Sequence, residues 1–206
     1  VAFAGTRDAK KVDNNPQAFA AKVDIRRRVL AGVGTRDARV FDGFAGAGEL
    51  YAAVWKDAAA YTGCDLKYQP MRGDVRLMFA ADNRRVLRSL DLSAFNVFDL
   101  DAYGSPWEQA LIVAARRKVA AGERIGFTIT EGGGIPYKAN IVPAPVAILA
   151  RLKPGIVGLN RKMETIVERC LIGVAQRMNC TIEKRWQARG KTGAAMVYVG
   201  AVMVGA

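Results

Sequence analysis

Val40-Phe41-Asp42-Gly43-Phe44-Ala45-Gly46-Ala47-Gly48-Glu49 is the stretch on which the fold turns. The apolar run Arg39 to Phe44 reads as a buried strand. It ends in a glycine-rich turn, and Glu49 to Trp55 then reads as a helix. Gly46 and Gly48 let the backbone turn sharply and approach a ligand closely, beside the positive end of the following helix. A dinucleotide fingerprint would require a small residue at position 51, where Tyr51 stands. No G-K-[ST] follows, so a P-loop is excluded as well.

Outward from this turn, short apolar runs alternate with helical patterns. Ala60 to Leu66, Arg76 to Ala80, Asn96 to Leu100 and Arg124 to Thr130 read as four further strands, with a short helix over Asn83 to Leu90. Ser105-Pro106-Trp107-Glu108 has the form of a capping box with proline at the first helical position, opening a helix to about Ala121. Met163, Ile166, Val167, Cys170, Leu171, Val174 and Met178 share one helical face. Thr181 to Gln187 and Met196 to Val204 form a hairpin across Ala188-Arg189-Gly190-Lys191-Thr192-Gly193.

Strands alternating with helices imply an α/β protein with a mostly parallel, seven-stranded sheet, closed by a C-terminal antiparallel hairpin. Residues 39–206 are expected to form this domain. Residues 1–38 form an N-terminal helical extension, in which Asn15-Pro16 opens a helix carrying Phe19, Val23 and Leu30. Gly132 to Asn160, with Pro136, Pro143, Pro145 and Pro154, reads as a loop. It is either substrate-facing or a plain surface connection.

Carboxylates follow the successive strands. Asp65 ends the second, where its two oxygens suit the vicinal hydroxyls of a ribose. Asp82-Asn83 follows the third, and Asp82 serves equally well as the cap of the next helix. After the fourth comes Phe98-Asp99-Leu100-Asp101-Ala102-Tyr103-Gly104-Ser105-Pro106.

Together these residues resemble the class I S-adenosylmethionine-dependent methyltransferases, whose Rossmann-like sheet carries motif I as D-x-F-x-G-x-G. Asp42, Phe44, Gly46 and Gly48 match it. The stretch after the fourth strand resembles motif IV of enzymes that methylate amino groups of bases. It is most similar to the D-x-D-P-[FY]-G-S-P form of the tRNA guanine-N2 dimethyltransferases, through Asp99, Asp101, Tyr103, Gly104, Ser105 and Pro106. Ala102 stands where that family has proline, and no counterpart of the family's large additional C-terminal domain is expected.

The resemblance implies S-adenosyl-L-methionine as cofactor, contacted by Asp42, Phe44, Ala45, Gly46, Gly48, Asp65, Asp82 and Asp99. It implies catalytic roles for Asp101, the carbonyl of Ala102 and Tyr103. An exocyclic base amine is a poor nucleophile because its lone pair is delocalised. A carboxylate and a carbonyl accepting its N–H groups orient it for in-line attack, and an aromatic ring stacks on the base.

Composition agrees with such chemistry. The 206 residues include no histidine, which excludes Ser-His-Asp hydrolysis, Cys-His proteolysis and histidine metal sites. Methyl transfer needs none of these. The three cysteines, Cys64, Cys170 and Cys180, form no C-x-x-C pair; neither a disulfide framework nor a metal is expected, and a reducing cytoplasm is. Val1 to Lys11 lack the apolar core of a signal peptide, and the apolar run Ala194 to Ala206 is too short to span a bilayer.

Lys and Arg number 31 against 19 Asp and Glu, a formal net charge of +12. That excess points to nucleic acid as partner, the resemblance implies RNA before DNA, and no role for a membrane is expected. The basic residues cluster at Arg26-Arg27-Arg28, Arg84-Arg85 with Arg88, Arg116-Arg117-Lys118, Arg161-Lys162 and Lys184-Arg185, with Arg189 and Lys191 beyond. A protein or small-molecule amine as substrate, or a non-catalytic nucleic-acid-binding module, are the competing expectations.

Overall fold

Val40 and Phe41 send their side chains to opposite faces of one sheet, and each is fully buried in a different apolar cluster. That requires a covered sheet on both sides, which is what the computed structural model shows. It describes residues 16–67, 76–132, 134–153, 155–190 and 196–206. In chain order these comprise α1 (Pro16–Val33), β1 (Arg39–Asp42), α2 (Glu49–Ala53), β2 (Ala60–Asp65), β3 (Leu77–Ala80), α3 (Asn83–Ser89), β4 (Val97–Leu100), α4 (Trp107–Arg116), β5 (Arg124–Glu131), α5 (Gly134–Lys138), α6 (Ala144–Ala150), α7 (Met163–Arg177), β6 (Cys180–Arg189) and β7 (Val197–Gly205).

The sheet order is β3-β2-β1-β4-β5-β7-β6. The first five strands are parallel, and β7 runs antiparallel to both β5 and β6. The expected Rossmann-like sheet with its C-terminal hairpin is therefore present. Of the expected hairpin connection, Lys191, Thr192 and Gly193 lie outside the described residues, as do Asn15 and Pro154.

One face is covered by α3, α4, α6 and α7 over Phe41, Phe98, Phe127 and Met203. All seven residues of the expected α7 face are buried in this cluster. The other face is covered by α1 and the segment from Leu50 to Trp55, over Val40, Val97 and Val202. α1 is not a loose extension. Its Val29 is completely buried, and the helix lies close against β5 and β7 because Gly126 and Gly200 leave room for it. A Cβ on Gly200 would come within 2.7 Å of Ile25 and 2.8 Å of Val29.

Three local expectations are corrected. Ser105 does not cap α4, whose N-cap is Pro106 without a side-chain bond. The Ser105 hydroxyl donates instead to the buried Glu131 carboxylate at 2.9 Å. α4 also stops at Arg116 rather than Ala121, because Arg117 turns to extended backbone and buries its guanidinium against the Glu123 carboxylate. The segment from Gly132 to Asn160 contains α5 and α6, and α6 packs Val146, Leu149 and Ala150 into the core.

Candidate functional site

Strand order reverses between β1 and β4, so the loops leaving their carboxyl ends diverge and open a crevice. The glycine turn leaves β1, and residues 101–103 leave β4. Gly46 and Gly48 hold φ values of +51° and +85°, a left-handed backbone that favours glycine. A Cβ on Gly48 would also collide with the Arg76 guanidinium, which lies 5.1 Å from the centre of the Tyr51 ring. The turn is held to β2 by Asp65. That carboxylate accepts from Gly46 N and from Lys67 N, both at 3.0 Å.

Two cavities meet along this wall. The larger, about 440 Å³, is bounded by the glycine turn (Phe44 to Ala47), Asp65, residues 101–103, and Phe19 and Lys22 of α1. The smaller, about 230 Å³, lies towards α3 between Gly43, Leu66, Asp82, Asn83 and Gln109. Phe44 and Asp65 line both, so the cavities share a partition at the place where the sequence predicts ribose contact.

At the far end of the larger cavity, Asp101 is nearly buried. Its Oδ2 accepts from Lys22 Nζ at 2.9 Å, its Oδ1 from the Thr130 hydroxyl, and Arg26 lies 3.8 Å away. Burial pushes the Asp101 carboxyl up, but Arg26, Lys22 and Thr130 outweigh it and hold it below the usual carboxylate value. Ala102 is buried, whereas the Tyr103 ring is 78% exposed at the cavity mouth.

Not every expected cofactor residue faces these cavities. Asp99 is completely buried behind them. Arg26 grips it bidentately at 2.6 and 2.7 Å, while Trp55 Nε1 and Thr128 Oγ1 each donate at 2.7 Å. The Arg26 guanidinium is correspondingly driven up: burial opposes its charge, but Asp99 and Asp101 win.

Asp42, the register partner of Asp99, is also sealed. It accepts from Phe44 N at 3.0 Å and from the Tyr61 hydroxyl at 2.9 Å, and so shapes the turn rather than lining a cavity. Burial, then the neighbouring Asp99, push its carboxyl up to about 8. Asp82 caps α3 and also lines the smaller cavity: it accepts from Arg84 N at 2.9 Å and from the Arg84 guanidinium, which holds it down to about 2.

Further residues complete the site, among them Lys22, Phe19 and Gln109, to which the sequence assigns no site role. Lys22 and Phe19 come from α1, 79 positions before Asp101 in the case of Lys22, a pairing no local pattern reveals. Asn83 and Gln109 form a relay at the smaller cavity. Asn83 Nδ2 donates to the Gly43 carbonyl at 2.6 Å, and Gln109 Nε2 donates to Asn83 Oδ1 at 3.0 Å.

The basic clusters are partly consumed within the fold. Arg26 and Arg117 are buried, Arg84 and Arg88 bind Glu108, and Arg185 and Arg189 pair with Glu168 and Glu164. Among the described residues no Cys, Asp or Glu cluster is arranged to hold a metal, and no helix is long and apolar enough to cross a membrane.

No protein-family model matches the chain, and no curated protein matches it. Solved structures do. N-methyltransferase NodS from Bradyrhizobium japonicum WM9 shares 12% identity over 95% of this chain and 100% of that one, with a TM-score of 0.58. Trm1 from Pyrococcus horikoshii, solved with S-adenosyl-L-methionine, shares 13% over 93% of this chain and 56% of that one, with a TM-score of 0.59. M. jannaschii TYW2, solved in complex with AdoMet, shares 14% over 90% and 77%, with a TM-score of 0.53. At these identities the likeness is one of fold: the Rossmann-like sheet of methyltransferases.

Proposed function

We propose that the chain is an S-adenosylmethionine-dependent N-methyltransferase acting on an exocyclic amine of a nucleobase, in RNA and foremost tRNA. The observation that carries this reading is the larger cavity, in which the glycine turn, Asp65 and residues 101–103 share one continuous lining.

The residues present fit the cofactor. Gly46 leaves the turn open to the larger cavity, Asp65 keeps carboxylate lone pairs for a ribose diol beyond its two backbone bonds, and Gln109, whose Oε1 is a buried acceptor with no hydrogen bond, lines the smaller cavity. Phe44, Ala45, Gly46, Gly48 and Asp65 would hold it, with Asp42 and Asp99 acting from behind. S-adenosylmethionine, when bound, supplies a methyl group on a sulfonium, open to in-line attack by an amine.

The chain then has to position that amine. Asp101, kept ionised by its cationic neighbours, accepts one N–H, and the Ala102 carbonyl is the second acceptor. Fixing both N–H groups points the nitrogen lone pair at the methyl carbon and gives much of the rate by orientation alone. Tyr103, open at the mouth, stacks on the extruded base.

Lys22 favours a nucleobase over an aliphatic amine. Its ammonium sits 2.9 Å from the acceptor carboxylate and repels a cationic lysine or polyamine, whereas a neutral base edge offers both a donor for Asp101 and an acceptor for Lys22. The test is incubation of the protein with labelled S-adenosylmethionine and tRNA, DNA or total protein. Label in tRNA is expected; label only in protein would replace the substrate assignment, and cofactor binding without transfer to any of them would leave a binding module.

A further inference from the structure

We propose that Gln109 reads the exocyclic amino group of the cofactor's adenine. The proposal rests on the cofactor assignment above. It follows from a chain of three amides whose polarity has one solution. The Gly43 carbonyl can only accept, so the Asn83 carboxamide must turn its Nδ2 towards it, at 2.6 Å. Asn83 Oδ1 therefore faces Gln109, which must answer with Nε2, at 3.0 Å.

Gln109 Oε1 is left as an acceptor of fixed orientation. It is buried, lacks any hydrogen bond, and belongs to a side chain only 8% exposed that lines the smaller cavity. A buried carbonyl oxygen without a donor is costly, and a ligand N–H placed there recovers the loss.

Asp82 lines the same cavity but is already engaged. Its Oδ1 accepts from Arg84 N and Nε and its Oδ2 from Arg84 Nη2 at 2.7 Å, so its carboxylate serves α3 and the guanidinium. The cavity adjoins the Asp65 partition, where a ribose would place its base. A planar base with an amino group at the position meeting Oε1 gains a bond. A base with a carbonyl oxygen there sets two acceptors against each other.

Calorimetry with S-adenosylhomocysteine and S-inosylhomocysteine separates these cases without any transfer reaction. The inosyl compound differs by an oxygen in place of the amino group and a proton on the neighbouring ring nitrogen. Wild-type protein should bind the adenosyl compound about 10- to 100-fold more tightly. Gln109→Leu should reduce that ratio to within about threefold, and Gln109→Met, which keeps the side-chain length, repeats the test if the first variant does not fold.

Asp82→Asn, which keeps the helix cap, should preserve the ratio. A ratio that survives both Gln109 substitutions, or collapses in Asp82→Asn, overturns the assignment while leaving the cofactor reading intact. Failure of the wild type to bind either compound overturns both.

Discussion

Asp99 and Asp101 lie two residues apart at the end of β4, both face α1, and they have opposite fates. Asp99 is completely buried and meets four donors from Arg26, Trp55 and Thr128. Asp101 lies at the cavity, with its side chain 11% exposed and an ammonium on one oxygen. The same helix serves both through residues one turn apart, Arg26 for the sealed carboxylate and Lys22 for the open one. Burial of the bidentate Arg26 pair fixes α1 to the sheet. The Lys22 pair, looser and wetter, leaves Asp101 able to take another partner.

The largest way to break this comparison is to remove the buried cation. Arg26→Leu strands the Asp99 charge in the core and should cost about 3–5 kcal/mol, read by urea denaturation. A cost near zero would mean that Asp99 does not depend on α1. Gly200→Val acts on both carboxylates at once, because its side chain drives α1 off β7 where Ile25 and Val29 now touch the sheet. It should cost about 1–3 kcal/mol and weaken binding of S-adenosylhomocysteine in parallel; destabilisation with unchanged binding would separate α1 from the site.

Asp42 sharpens the contrast through pH. Its carboxyl stands at about 8 in the folded protein against 3.8 ordinarily, so the native state retains a proton that the unfolded chain gives up. Its contribution to stability is complete below about pH 4 and is lost as the pH rises towards 8. Asp42→Asn cannot ionise: it should change stability little at pH 5 and flatten the decline above it, in melts recorded across that range. An unaltered slope would place the proton elsewhere.

The smallest effect on stability belongs to Lys22. Lys22→Met removes a partly exposed pair, and with Arg26 and Thr130 still at Asp101 it should cost less than about 1 kcal/mol. Its effect on ligands is larger. With the ammonium gone, the Asp101 charge attracts a sulfonium more strongly than a neutral thioether. The affinity ratio of S-adenosylmethionine to S-adenosylhomocysteine should rise about threefold or more. A constant ratio would put Lys22 outside the reach of the reacting end.

What could be seen in the sequence follows from the range of the forces involved. The strands, the α7 face and the glycine turn are set by local periodicity and backbone requirement, so residues such as Val40, Phe41, Gly46 and Val174 declare themselves. Arg26 and Lys22 do not, because what distinguishes them from solubilising surface residues is a pair of carboxylates 73 and 79 positions away. Asp42 and Asp99 stand where a motif expects ligand contacts, yet burial assigns both to the scaffold. In α6 the prolines around Ala144 mask a helix that packs Val146, Leu149 and Ala150. Gln109 left no signal: a polar residue in the first turn of an amphipathic helix looks like surface until Asn83 orients it.

The central claim is that Asp101, unlike Asp99, holds the substrate amine rather than the fold or the cofactor. It is tested most directly by the variant Asp101→Ala, measured for S-adenosylhomocysteine affinity and for transfer of labelled methyl to the nucleic acid that the wild type labels. Affinity for this ligand, which lacks the sulfonium charge, should stay within about threefold of wild type while transfer falls at least about 100-fold. Transfer at the wild-type rate, or loss of cofactor binding together with the fold, would contradict the account.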